Sequence, residues 1–139
     1  IYLTTPNLHK VGIAGSGTFE TTNTMTSSKP MHFEIAGSGT ITAKIDAANV
    51  HSEIAGSGDI RLSGKAADTE VEIAGSGNYK SDELTCANTD VEIAGSGSAY
   101  VNTSGKLKAQ IAGSGSVMYT GKPSDIDKEI AGSGRVQQK

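Results

Sequence analysis

Large rings are scarce in this chain: it has no tryptophan, four tyrosines and two phenylalanines. A compact globule of 139 residues normally buries more of them, so the core has to be thin, repetitive and aliphatic. A single cysteine, Cys86, excludes an internal disulfide framework and reads as a buried structural thiol. Twelve Lys and Arg against fifteen Asp and Glu leave a net charge of −3. There is therefore no basic footprint for nucleic acid, and no cationic cluster for an anionic membrane. No apolar run approaches the ~18–20 residues that a transmembrane helix needs. Initiator Met and signal peptide are both missing, and the chain opens on the alternating pattern Ile1-Tyr2-Leu3. That opening is expected of a segment cut from inside a longer protein.

Glycine is what the chain has in excess. Fourteen of its eighteen glycines belong to seven unsubstituted copies of Ile-Ala-Gly-Ser-Gly, beginning at Ile13, Ile35, Ile54, Ile73, Ile93, Ile111 and Ile130. The steps between copies are 22, 19, 19, 20, 18 and 19 residues. A near-constant period of that size marks a stacked-repeat architecture, in which each unit buries its apolar side against its neighbours.

With the repeated Ile as position zero, apolar residues fall mainly on even positions. Position −2 holds Val11, Phe33, Val71 and Val91, and position +6 holds Phe19, Ile41, Ile60, Tyr79 and Val117. Period-two alternation is the mark of a strand with one buried face. Carried through the motif, the same parity puts both glycines inward and Ala and Ser outward. The motif then reads as a bend whose inner side has no room for a Cβ. The column Ser16, Ser38, Ser57, Ser76, Ser96, Ser114 and Ser133 reads as a hydroxyl ladder stitching neighbouring bends. Small residues followed by Asn or Asp (Ala47-Ala48-Asn49, Ala66-Ala67-Asp68, Cys86-Ala87-Asn88) mark a second corner, where Asx side chains bond to local backbone. The long first step places Thr21 to Ser28 in an extra loop.

The expected fold is all-β: a single-chain parallel β-helix of about seven coils over residues 1–139, right-handed by the crossover rule and roughly 30 Å long at ~4.8 Å per coil.

The chemistry-bearing motifs are thin. Gly58 to Lys65 approximates a phosphate loop but has one residue too many between its glycines and Ala66 in place of Ser or Thr, with no helix to follow. The calcium-binding nonapeptide roll needs a nine-residue period, half of the one seen. The most chemical surface is the outward face of the strand entering the bend. Position −1 carries Glu34, Glu53, Glu72, Glu92 and Glu129, and position −3 carries His32, His51, Glu70 and Asp90. Its simplest reading is a solvated polar face that discourages aggregation. Two sharper sets stand beside it. His32, Glu34, His51 and Glu53 form a ligand set acceptable to Zn²⁺, and Glu70, Glu72, Asp90 and Glu92 one for a hard cation such as Ca²⁺. No His or acid recurs at a fixed offset beside the motif serines to make a nucleophile, and the acids lie side by side instead of facing across a cleft. Neither catalytic residues nor a cofactor are expected.

Repeated apolar-[Ala/Ser]-Gly-Ser-Gly units at about 19 residues, after the opening Ile1-Tyr2-Leu3-Thr4-Thr5-Pro6-Asn7-Leu8, resemble the family named "Putative auto-transporter adhesin, head GIN domain", found largely in Bacteroidetes. The resemblance covers essentially the whole chain. It implies a pectin-lyase-like shape without that fold's catalytic residues, export to the periplasm or cell surface, and adhesion as the role. It also implies that this chain is the C-terminal part of a larger domain. Partners would be a host or bacterial surface glycan or protein, met through outward columns with Tyr100 and Met118 as apolar contacts. The alternatives are a self-assembling scaffold resembling bactofilins, with a second copy as partner, and a carbohydrate-active enzyme, which the short even coils disfavour.

Overall fold

The computed structural model describes residues 10–27 and 30–138, with the backbone alone for 21–27. The expected opening strand at Ile1-Tyr2-Leu3 lies outside the described residues.

Ten strands and, among the described residues, no helix make up the fold. They are β1 (Lys10–Gly15), β2 (Thr18–Ser27), β3 (Met31–Gly37), β4 (Thr40–Gly56), β5 (Asp59–Gly75), β6 (Asn78–Gly95), β7 (Ser98–Gly113), β8 (Ser116–Thr120), β9 (Asp125–Ala131) and β10 (Arg135–Gln138). Every pairing is parallel, and the repeated isoleucines stack in one file: Ile13 on Ile35, Ile54, Ile73, Ile93, Ile111 and Ile130. The chain is thus a parallel β-solenoid of about six turns, against the seven coils expected from seven motifs.

Parity decides the interior. In the middle coils Val50, Ile54, Ile60 and Leu62 are all buried, and so are Val71, Ile73, Val91 and Ile93. Of the few rings, Phe19, Phe33 and Tyr79 go inside. Fully burying each large side chain is worth about 1.5–3 kcal/mol, and like residues stacked in columns bury one another. Among the described residues the last coil has a neighbour on one side only: Ile130 is 40% exposed whereas Ile54 is 0%.

At the motif the backbone turns, and each glycine has its own reason. Gly56 adopts φ +120°, and a Cβ there would lie 2.6 Å from the Gly37 carbonyl oxygen of the preceding coil. Gly58 is buried, and a Cβ on it would sit 2.5 Å from Cγ2 of Ile35 and 2.8 Å from the Gly39 oxygen. The expectation that both glycines face inward is therefore corrected. The first is exposed, because positive φ breaks the strand alternation at that residue, and only the second points into the core.

The serines are exposed, as their outward parity predicts. The rungs between bends run through their backbone instead of their hydroxyls. The Ser57 amide donates to the Gly37 oxygen at 3.0 Å and the Ser76 amide to the Gly56 oxygen at 3.0 Å, and the same bond recurs at Ser38, Ser96, Ser114 and Ser133. The hydroxyl ladder is thus an amide ladder, with the hydroxyls left in solvent.

The second corner needs no break in the strand. β4, β5 and β6 run through it, and it shows as two successive exposed residues, Ala48-Asn49, Ala67-Asp68 and Ala87-Asn88, between buried ones. The Asx side chains there reach the next coil: Asn88 Nδ2 donates to Asp68 Oδ1 at 2.8 Å, and the Lys106 amide donates to Asn88 Oδ1 at 3.2 Å. Nor do the extra residues of the first step form a loop up to Ser27. β2 continues through them, absorbing two extra residues as a register slip between Glu20 and Thr24, while Ser28 lies outside the described residues.

Among the described residues, polar side chains enter the core at five positions. Thr89 and Thr103 share a hydroxyl hydrogen bond of 2.7 Å, Thr69 Oγ1 lies 3.1 Å from Cys86 Sγ, and Ser81 Oγ donates to the Tyr100 carbonyl at 3.0 Å. Cys86 is buried as expected, and burial pushes its thiol up despite the Thr69 and Thr89 hydroxyls. Ser52 Oγ and Tyr79 Oη are buried without a hydrogen-bond partner. Burial drives the Tyr79 phenol far above its ordinary value; nearby Ser81 and Ser52 offset little of this, since neither reaches hydrogen-bond geometry with Oη.

Candidate binding faces

Two outward faces carry side chains that could hold a ligand. The first is the face entering the bend, on β1, β3 to β7 and β9. Its −3 column runs in register from Lys10 through His32, His51, Glu70, Asp90 and Lys108 to Asp127. Its −1 column runs through Glu34, Glu53, Glu72, Glu92, Gln110 and Glu129. Strand spacing sets neighbours ~4.8 Å apart, where two carboxylates in water repel by about 1 kcal/mol.

His51 is the centre of this face. Its Nδ1 lies 3.0 Å from Glu70 Oε2 and its Nε2 lies 3.9 Å from Glu72 Oε2. Its ring packs on that of His32 with centroids 5.0 Å apart. One donor atom from each of His51, Glu53 and Glu72 falls within 4.8 Å of the others. The structure therefore draws two members from the expected His32-Glu34-His51-Glu53 set and one from the Glu70-Glu72-Asp90-Glu92 set. Glu70 stands behind His51, while Glu34, Asp90 and Glu92 stay outside the trio. Burial raises the Asp90 carboxyl, Lys108 opposes the shift, and Glu70 and Glu92 add to it.

The second face follows the bend. Glu20, Thr42, Arg61, Lys80, Tyr100 and Met118 stack in register at position +7. Beside the first four of these, Lys44, Ser63, Asp82 and Glu83 complete an open groove of about 680 Å³. Sequence reasoning singled out Tyr100 and Met118 but missed the groove. Two cations in consecutive coils of one odd column, Arg61 and Lys80 after Glu20 and Thr42, were the available signal.

A parallel β-solenoid whose groove and carboxylate cluster lie on its outer faces is a repeat scaffold. The chain belongs to the family described as "Putative auto-transporter adhesin, head GIN domain", whose model matches residues 1–123. Among solved structures, a "Putative lipid binding protein" from Parabacteroides distasonis ATCC 8503 is similar at 34% identity and a TM-score of 0.91, over 96% of this chain and 54% of that one. A "putative adhesin" from Bacteroides fragilis NCTC 9343 shares the fold at 23% identity and a TM-score of 0.90, over 96% of this chain and 62% of that one. The chain thus spans between half and two thirds of the length of these structures. No curated protein matches it.

Proposed function

We propose that this solenoid is a non-enzymatic binding module, working outside the cytoplasm, that holds a surface glycan or protein against the face following the bend. The carrying observation is the groove along Thr42, Arg61 and Lys80, which continues in register to Tyr100. Parallel strands fix those side chains one coil apart, so the face is pre-organised for a ligand with its own repeat, and little ordering entropy is lost on binding. A ring next to a cationic pair suits a sugar bearing carboxylate groups: the ring packs on the pyranose face, and Arg61 pairs with the acid. Family membership supports adhesion, and the relative named for lipid binding makes lipid one arm of the test.

The test is binding of the protein to glycan arrays, to bacterial and host cells, and to lipid vesicles. The expected result is saturable binding to acidic glycan or to cells, weakened at least about 10-fold by Arg61→Glu with Lys80→Glu. Binding no better than that of a variant with a scrambled outer surface would overturn the reading. Sedimentation over a range of concentrations separates it from the self-assembling scaffold, for which the chain would have to polymerise.

A further inference from the structure

The face entering the bend offers a site of its own, separate from the groove. We propose that His51, Glu53 and Glu72 bind a divalent transition ion of the Zn²⁺ class, and that Glu70 positions the His51 ring for it. An imidazole nitrogen and two carboxylate oxygens form a donor set suited to such ions, with a further coordination position left to water.

Three observations carry the assignment. First, the donors come together from rigid backbone. His51 and Glu53 are two residues apart on β4, hence on one face, and Glu72 on β5 stands directly opposite Glu53 in the ladder. Their donor atoms lie within 4.8 Å of one another. Ligand bonds of about 2.0–2.2 Å in a tetrahedral site require roughly 3.4 Å between donors, and rotation of the two exposed glutamates closes that gap.

Second, the imidazole is already set for metal. A carboxylate accepts, so the 3.0 Å contact with Glu70 Oε2 puts a hydrogen on Nδ1 and turns that nitrogen away from the trio. Nε2 is the nitrogen on the side of Glu72 Oε2, at 3.9 Å, and is the one placed to ligate. A carboxylate behind a ligating histidine fixes tautomer and ring orientation and raises ligand basicity. His51 is also held from the other side by the ring of His32, and its side chain is only 25% exposed.

Third, the electrostatics call for a cation. Glu34, Glu53, Glu72 and Glu92 stack in consecutive coils of one column with no Lys or Arg among them. A dication between Glu53 and Glu72 replaces a repulsion with two attractions.

The experiment is isothermal titration of the protein with Zn²⁺ alone, and with Ca²⁺ alone, with Co²⁺ absorption spectra reporting the coordination. One Zn²⁺ per chain is expected, with no saturable Ca²⁺ binding. His51→Ala should weaken Zn²⁺ at least about 100-fold, and Glu70→Gln about 10–100-fold although Glu70 is not itself a ligand. His32→Ala and Glu92→Gln should stay within about 2-fold, since both leave the donor set whole. All four substitutions are at outward positions, and circular dichroism checks that each variant is folded. Absence of saturable Zn²⁺ binding would overturn the proposal. So would retention of binding in His51→Ala, or an equal loss in Glu92→Gln, which would make the effect one of bulk negative charge.

Discussion

At the Gly-Ser-Gly bend the coils lie on one another without a slip, from Ile13-Ala14-Gly15 on Ile35-Ala36-Gly37 through to Ile111-Ala112 on Ile130-Ala131. On the opposite side the ladder slips between Glu20 and Thr24, Arg61 and Ser63, Ser81 and Thr85, and Cys86 and Asn88. Coil length thus varies only where the chain can bulge. At the bend the neighbouring backbone excludes a Cβ in one coil after another from Gly37 onward; on the far side that closeness falls on single residues, Gly64, Gly105 and Gly121, which do not line up at one position of the repeat. Invariance of the motif follows from this contact between coils.

Single-residue insertions test that contrast most severely. One alanine inserted between Ser76 and Gly77 reverses the facing of every residue up to the next corner, and no cooperative unfolding transition should remain. The same insertion between Asp82 and Glu83, beside an existing slip, should cost only about 1 kcal/mol in a urea melt. Equal damage from both would end the distinction. Next in size is Gly56→Ala, which combines φ +120° with a backbone oxygen 2.6 Å from the new Cβ. It should cost about 3 kcal/mol or more. Gly12→Ala is its counterpart, because nothing lies within 4 Å of a Cβ there. It should be neutral or stabilising by up to about 1 kcal/mol.

Smaller effects come from the stretches between the corners. Tyr79→Phe removes a buried hydroxyl that has no partner, so a gain of about 1 kcal/mol is expected by thermal or urea unfolding. A loss would show that the phenol is satisfied after all. Asp90→Asn gives the smallest shift. Because the folded-state carboxyl is raised, the folded chain holds that proton more tightly than the unfolded one. Asp90 therefore contributes stability in acid, below the ordinary carboxylate range, that is lost as pH rises through its raised value. The variant should gain at most about 0.5 kcal/mol near neutral pH and nothing in acid, the charge being screened by solvent. A gain that is the same at both pH values would assign the effect to packing.

Much of this was legible in the residues because one rule, alternation, is repeated seven times with the same punctuation. Ile54, Ile60 and Leu62 could be placed inside from parity alone. Parity failed at Gly56, where positive φ turns the peptide plane and moves the residue to the outside. The serine column was assigned the right side and the wrong atoms, since outward parity does not say whether amide or hydroxyl makes the rung. The His51-Glu53-Glu72 trio escaped a reading by rows and squares, because it joins two residues of one coil to one of the next through side-chain rotamers. The groove along Arg61 and Lys80 depends on lateral spacing between columns +7 and +9, which period alone does not describe.

The amide rung from each motif serine, Ser38 onward, to the first motif glycine of the preceding coil makes every junction at the bend chemically the same. A coil can therefore be duplicated or removed as a whole, with both new junctions matching the old ones at the bend. Each such event lengthens or shortens the rod by one strand spacing, ~4.8 Å, without altering the faces on either side. The solenoid is in that sense a ruler. Its reach can be set by counting copies of five residues, while the side chains at −3, −1 and +7 change independently along its length.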